Sequence, residues 1–230
     1  LTLAGVATSF TEGTEPVWWV APEQRRVAAF YRNGAVHHVV NRAILELALE
    51  KVAREGAENL VAAAWEESLR LRDLLKFEFF FARKQRFSEE LTAELTQLAR
   101  EADVDLAQAD PAALIAGAPI LVAHGVLRSF VDAQFVVADL LRTRGVEDRK
   151  AFVKECLGYA RQLRLQGQVH GAETISRELF ESALRLAENR GALERGPGEW
   201  LEQLVDVRER LIDIRRIDQA RLEEVLDGDA

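Results

Sequence analysis

The sequence predicts a mainly α protein, a multi-helix bundle of about seven helices with a short β segment at its N-terminus. Three observations carry that prediction. From Glu23 onward Ala, Leu, Glu, Arg and Gln dominate, and apolar residues recur at intervals of three and four, the period of a helix with one buried face. Residues 1–22 are different, with β-branched and aromatic residues on either side of a Thr-Glu-Gly-Thr-Glu turn and Pro22 at the close. The breaks between helical stretches are short and carry capping residues or glycine.

Taken in order, two short strands are expected near 2–9 and 16–21. A first helix over about 23–54 opens with Glu23 in its first turn and ends at Gly56. A second, about 57–82, carries Leu60, Val61, Ala64, Leu71 and Leu75 toward the Phe-rich run FEFFF. Ser88 followed by Glu89 and Glu90 predicts an N-cap for a third helix, about 88–101. Asp110-Pro111 opens a short turn that stops near Gly117. After Pro119, a strongly apolar helix runs to Gly145 and should be the most buried element. Helices at about 147–166 and 171–190 follow, closed by Gly167 and Gly191. Beyond the Gly-Pro-Gly loop at 196–198, a charge-rich helix over 200–226 should lie on the outside or pair with a partner. The expected organisation is a connecting β segment (1–22), an N-terminal helical half (23–101), a hinge or short helix (102–118) and a C-terminal helical half (119–230).

Composition excludes several classes. A net charge of −8 over 230 residues speaks against nucleic-acid binding, which requires a surplus of Lys and Arg to neutralise phosphates. The lone Cys156 cannot form an internal disulfide and sits in an amphipathic stretch, as a small core residue in a reducing compartment would. No apolar run approaches the roughly 18 residues that cross a bilayer, so no transmembrane helix is expected. The absence of methionine and the start at LTLAGVATSF suggest a piece of a longer polypeptide.

The four histidines are the natural place to look for chemistry. His37 and His38 are neighbours, about 100° apart on a helix, which makes a shared metal ion awkward. No H-E-x-x-H, C-x-x-C, G-x-G-x-x-G or G-x-x-x-x-G-K is present, so neither a metal nor a cofactor is expected. The block Phe77, Phe79, Phe80, Phe81 and Phe87, with Arg83, Lys84 and Arg86 interleaved, has two readings: a membrane-surface anchor, or the end of a core helix followed by a solvated turn. Trp18 and Trp19 on a strand would point to opposite faces. Asn33 and His37 share a helix face, with Tyr31 and Arg32 to either side. Such a row can bind an anion or form a hydrogen-bond network, and its place well inside the helix, away from the free amides, favours the network.

The run FYRNGAVHHVVNRAILELAL resembles the Tyr-Arg-Asn-x-x-x-His segment in the C-terminal region of bacterial glycerol-3-phosphate 1-O-acyltransferases, the large membrane-associated form, with Tyr31, Arg32, Asn33 and His37 on that motif. LLKFEFFF, AGAPILVAHGVLRSF, LGYARQLRLQGQVHGAETISRELFESALRLAENRG and the closing RRID resemble the same family in order and spacing, the last suggesting an actinobacterial type. The resemblance implies transfer of an acyl group from acyl-CoA or acyl carrier protein to glycerol 3-phosphate, giving lysophosphatidate, the first step of phospholipid synthesis. That chemistry uses an H-x-x-x-x-D motif, whose histidine is a general base and whose aspartate orients it. Here Arg42, Ala43, Ser129 and Ile175 stand five residues after the four histidines, so no catalytic residue is expected in this chain.

The resemblance therefore implies a C-terminal helical region, inactive alone, packed on the catalytic domain of the same polypeptide and supporting peripheral attachment at the cytoplasmic face of the membrane. Tyr31, Arg32, Asn33 and His37 would be interdomain or substrate-proximal, with Arg32 a candidate for phosphate or acyl-donor binding. Phe79, Phe80, Arg83 and Lys84 would be the membrane contact. The alternative expectation is a non-enzymatic helical adaptor that binds a protein partner through its acidic surface and last helix.

Overall fold

The computed structural model describes residues 2, 4–107, 109–118 and 121–228, without the side chains of Arg26, Asn33, Leu222 and 224–228. With 71% of the chain helical and, among the described residues, a single two-stranded sheet, the mainly α expectation holds. Eleven α-helices are present among the described residues, two of them only four residues long. The chain divides into two compact units, Leu1–His38 and Val39–Ala230.

In the first unit, β1 (Thr8–Phe10) and β2 (Val17–Trp19) pair antiparallel, with Ser9 opposite Trp18. A one-turn 3-10 helix, Pro22–Gln24, leads into α1 (Arg25–Ala35), and a second 3-10 turn, Val36–His38, follows it. The single helix expected over 23–54 is thus broken. Gly34 weakens the last turn of α1, which ends at Ala35, and the run Val36-His37-His38-Val39-Val40 is composed of poor helix formers whose side chains crowd the preceding turn. The chain becomes helical again only as α2 (Val40–Glu55), which Gly56 closes at φ 77°, as expected.

The second unit is built around α2. Ala43 through Glu50 are all buried, so this helix is covered on every side rather than along one stripe. It packs against α3 (Leu60–Leu74), α4 (Lys84–Glu101), α5 (Pro111–Gly117), α6 (Ala123–Val126) and α11 (Gly198–Gly228). The Asn59 side chain accepts the Ala62 N–H at 3.0 Å and caps α3. That helix stops at Leu74, before the Phe run it was expected to include.

Ser88 is not an N-cap. Helix α4 begins a turn earlier, where the Arg83 carbonyl accepts the Phe87 N–H at 2.8 Å and the fully buried Phe87 ring anchors the first turn. Asp110 does cap α5, accepting from Ala112 N–H. The last residue of α5, Gly117, lies against Ala102, where a Cβ would sit 2.6 Å from that methyl group, so only glycine permits the approach. Pro119, expected to open the apolar helix, lies outside the described residues. The apolar stretch itself is divided into α6 and α7 (Arg128–Thr143) at Leu127, and α7 is deeply buried as expected.

Helix α8 (Arg149–Leu165) is capped by the Asp148 carboxylate and buries Cys156, and α9 (Arg177–Asn189) is capped by Ser176. Glycines 167 and 191 take positive φ at the ends of these helices, and α10 (Ala192–Arg195) leads into α11. The largest departure is α11. Instead of lying outside, it turns Trp200, Leu204, Val207, Leu211 and Ile214 into the core and packs on α2, α6 and α7. Its charges misled the sequence reading because one of them, Arg210, is fully buried.

Buried polar groups join these helices. Glu46 of α2 accepts the Val122 and Ala123 N–H groups at 2.9 and 3.1 Å, capping α6 from another helix, and pairs with Arg42 at 2.8 Å. Burial pushes its carboxyl up, while Arg42 and those amides pull it down. The Gln134 side chain donates to the Leu74 carbonyl at 2.9 Å, tying α7 to the end of α3.

Candidate functional site

Helix α1 sets the Tyr31–His37 row. Phe30 and Tyr31 are exposed, and their rings meet edge to face at 5.9 Å. Arg32 is half-buried. Asn33 lies in α1, and its side chain is outside the described residues. His37 is exposed in the 3-10 turn, and its ring lies 3.8 Å from that of His38.

The same unit presents a larger apolar surface. Every residue of β1 and β2 is exposed, Trp18 at 61% and Trp19 at 48%. Phe10, Val17, Val20 and Val27 are exposed as well. A two-stranded hairpin has one row of side chains per face, and here neither row is covered.

The Phe-rich block divides between the two readings. Phe79 packs on Phe130 of α7 at 4.8 Å, and Phe81 packs on Phe87 at 5.6 Å. The Arg72 guanidinium lies over the Phe81 and Phe87 rings and donates to the Ala82 carbonyl at 2.9 Å, clamping the turn onto α3. Phe80 is fully exposed, and Arg83 and Lys84 follow it at the surface. Of the four residues expected at a membrane, Phe80 and Arg83 lie in this exposed loop, Lys84 is exposed at the start of α4, and Phe79 points into the protein.

Among the described residues, no group of three His, Cys, Asp or Glu side chains could hold a metal ion. His124 Nδ1 stands 3.6 Å from Asp218, too long for a hydrogen bond, and the His170 backbone N–H donates to Asp132 at 3.1 Å. A polar cleft of about 890 Å³ opens between α2, α3 and α11, lined by Lys51, Glu67, Arg70 and Asp206 among others, all drawn into one ion-pair network. The sequence reading did not single out this network. It is assembled from residues of three helices distant in sequence, Lys51, Glu67 and Asp206 among them, which no local pattern brings together.

Glu78, at the base of the Phe loop, has its carboxyl pushed up to about 7 by burial against the pull of Arg185. Between the unfolded value near 4.5 and about 7, the folded chain binds the proton and the unfolded chain does not. Stability therefore falls as pH rises through that window and is flat above it. We predict that Glu78→Gln, which never ionises, melts progressively higher than the parent from pH 5 to pH 7, by about 5–10 °C at the upper end. A constant difference across that range in thermal melts would contradict this assignment.

The sequence belongs with a known group of proteins. Residues 1–196 match the family described as the glycerol-3-phosphate acyltransferase C-terminal region. Proteins named putative acyltransferase plsB1 from Mycobacterium bovis and Mycobacterium tuberculosis are 42% identical to this chain over 193 residues, which cover 81% of it. The chain spans 31% of the length of those relatives. The family match ends just before α11. The chain belongs to the glycerol-3-phosphate acyltransferase C-terminal region family.

Proposed function

We propose that this chain is the helical C-terminal region of a glycerol-3-phosphate acyltransferase and docks through its N-terminal unit on the catalytic domain of the same polypeptide. The observation that carries the reading is the uncovered aromatic surface of β1, β2 and α1, with Phe10, Trp18, Trp19, Phe30 and Tyr31 all exposed. Apolar patches of this kind mark interaction surfaces, and a lone hairpin is marginal without something to pack against. That the matched relatives are about three times as long as this chain leaves room for the catalytic domain. In this reading Tyr31, Arg32, Asn33 and His37 adjoin the partner domain, which acts on acyl-CoA or acyl carrier protein and glycerol 3-phosphate and makes lysophosphatidate for phospholipid synthesis. Trp18→Ser with Trp19→Ser in the full-length polypeptide should lower acyl transfer between about tenfold and a hundredfold by misplacing the catalytic domain, and leave the melting of the helical unit unchanged. Full activity in that variant overturns the docking surface.

The same reading places the region at the cytoplasmic face of the membrane as a peripheral contact. No helix of the described residues is long and apolar enough to cross a membrane. Phe80, followed by exposed Arg83 and Lys84, supplies an apolar wedge beside cations, the arrangement that suits an anionic lipid surface. Phe80→Ser with Lys84→Ser should reduce co-sedimentation with anionic liposomes several-fold. Unaltered sedimentation assigns the loop to solvent alone.

A further inference from the structure

The β1–β2 hairpin is small for a sheet that stands by itself. Each strand has three residues, and among the described residues the sheet holds no third strand. Antiparallel strands direct the N–H and C=O groups of successive residues alternately toward the neighbour and away from it. The outward-directed groups of both strands therefore lack a strand partner, which leaves two free edges on a hairpin that is marginal in water alone.

The two edges differ. Sheets blunt a free edge with lysine, proline, a bulge or a covering element. Prolines bound β2, with Pro16 directly before Val17 and Pro22 three residues after Trp19. Neither has an N–H to offer, so a strand laid along β2 would lose pairing on each side. β1 carries none of these devices. Thr8-Ser9-Phe10 is uncharged and pairs with β2 residue for residue without a bulge. Its side chains and those of β2 are also patterned for cover on both faces. The register sets Thr8 beside Trp19 and Phe10 beside Val17 on one face, and Ser9 beside Trp18 on the other. The continuous apolar run VWWV, residues 17–20, lacks the in-and-out alternation of a strand with one face in water and reads as a strand enclosed on both.

We infer that the free edge of β1 receives an extended strand from the catalytic domain of the same polypeptide, so that hairpin and catalytic domain share one sheet. Main-chain hydrogen bonds then join the two regions, and the aromatic side chains are covered from above and below. This pairing presupposes the proposed docking on the catalytic domain and gives its mode. The occupant follows from the layout of the family. The matched relatives are about three times as long as this chain, the family is described as a C-terminal region, and the hairpin is the first element within the match. The preceding part of such a polypeptide would arrive beside β1.

Residue-resolved amide hydrogen exchange on the full-length polypeptide tests the pairing. In a lone hairpin the amides of Thr8, Ser9 and Phe10 alternate between protected and open. Strand addition should protect all three, at least about a hundredfold over open amides, while β2 keeps its alternation. Hydroxyl-radical footprinting of Trp18 and Trp19 in the same protein reads the docking separately. Alternating protection in β1 with both indoles shielded overturns the strand addition and leaves the docking standing. Alternation with both indoles freely oxidised overturns the two together. Protection of three consecutive amides in β2 and not in β1 overturns the choice of edge.

Discussion

The Arg210 guanidinium sits at the centre of the helical unit with no exposure to solvent, and three helices are arranged around it. It donates to the Leu47 carbonyl of α2 at 2.9 Å and to Glu67 of α3 at 2.8 Å, and it forms an ion pair with Asp206, one turn earlier on its own helix, at 2.9 Å. Taking a cation out of water costs several kcal/mol, about the scale of a domain's whole net stability, so this charge is tolerated only where its partners are in place. A shift of α11 by one residue would move the guanidinium out of reach of Glu67 and the Leu47 carbonyl together. The register of the last helix is thereby fixed against α2 and α3, in addition to the apolar contacts of Leu204, Val207, Leu211 and Ile214. Around the buried centre, Lys51 pairs with Glu67 and Arg54 with Asp206, which carries the network out to the surface.

Helix α2 shows the same logic. An apolar helix covered on all sides carries little information about which neighbour belongs where, because hydrophobic contact has no direction. Its two buried carboxylates supply direction. Glu46 caps α6, and Glu50 is pushed up by burial, with Arg54 and Arg210 pulling the other way. The large apolar side chains of the helical unit are mainly buried within it, Phe80 and Leu165 being among those left exposed. The N-terminal unit contrasts with it, since its aromatic residues remain uncovered, and the proposed docking surface falls there.

Much of the fold was legible because it depends on local chemistry. Asp110 before Pro111, Gly56, Gly167 and Gly191 mark helix ends through groups a few residues away, and each lies where the sequence puts it. The break at 36–39 was missed because the apolar periodicity continues through it, while the β-branched crowding that ends α1 is a weaker signal. Ser88 has the features of a cap, but burial of Phe87 outweighed it and started α4 a turn sooner. The inward face of α11 was hidden for a different reason. Arg210 reads as a surface charge unless Glu67 is known to lie opposite, and a separation of 143 residues places that fact outside any local pattern. The site residues divide likewise: exposure of Phe80 and burial of Phe79 depend on α7, which the Phe run itself does not reveal.

A double-mutant cycle on Arg210 and Glu67 tests the account most directly. Arg210→Met and Glu67→Leu should each destabilise the chain by about 3–5 kcal/mol in chemical denaturation, because each removes the nearest partner of a buried charge and leaves it only partly compensated. The double variant should lose less than the sum by at least about 2 kcal/mol, within the range measured for coupled neighbours. Additivity within about 0.5 kcal/mol would show that the two groups act independently, and would contradict the claim that this buried ion pair sets how α2, α3 and α11 meet.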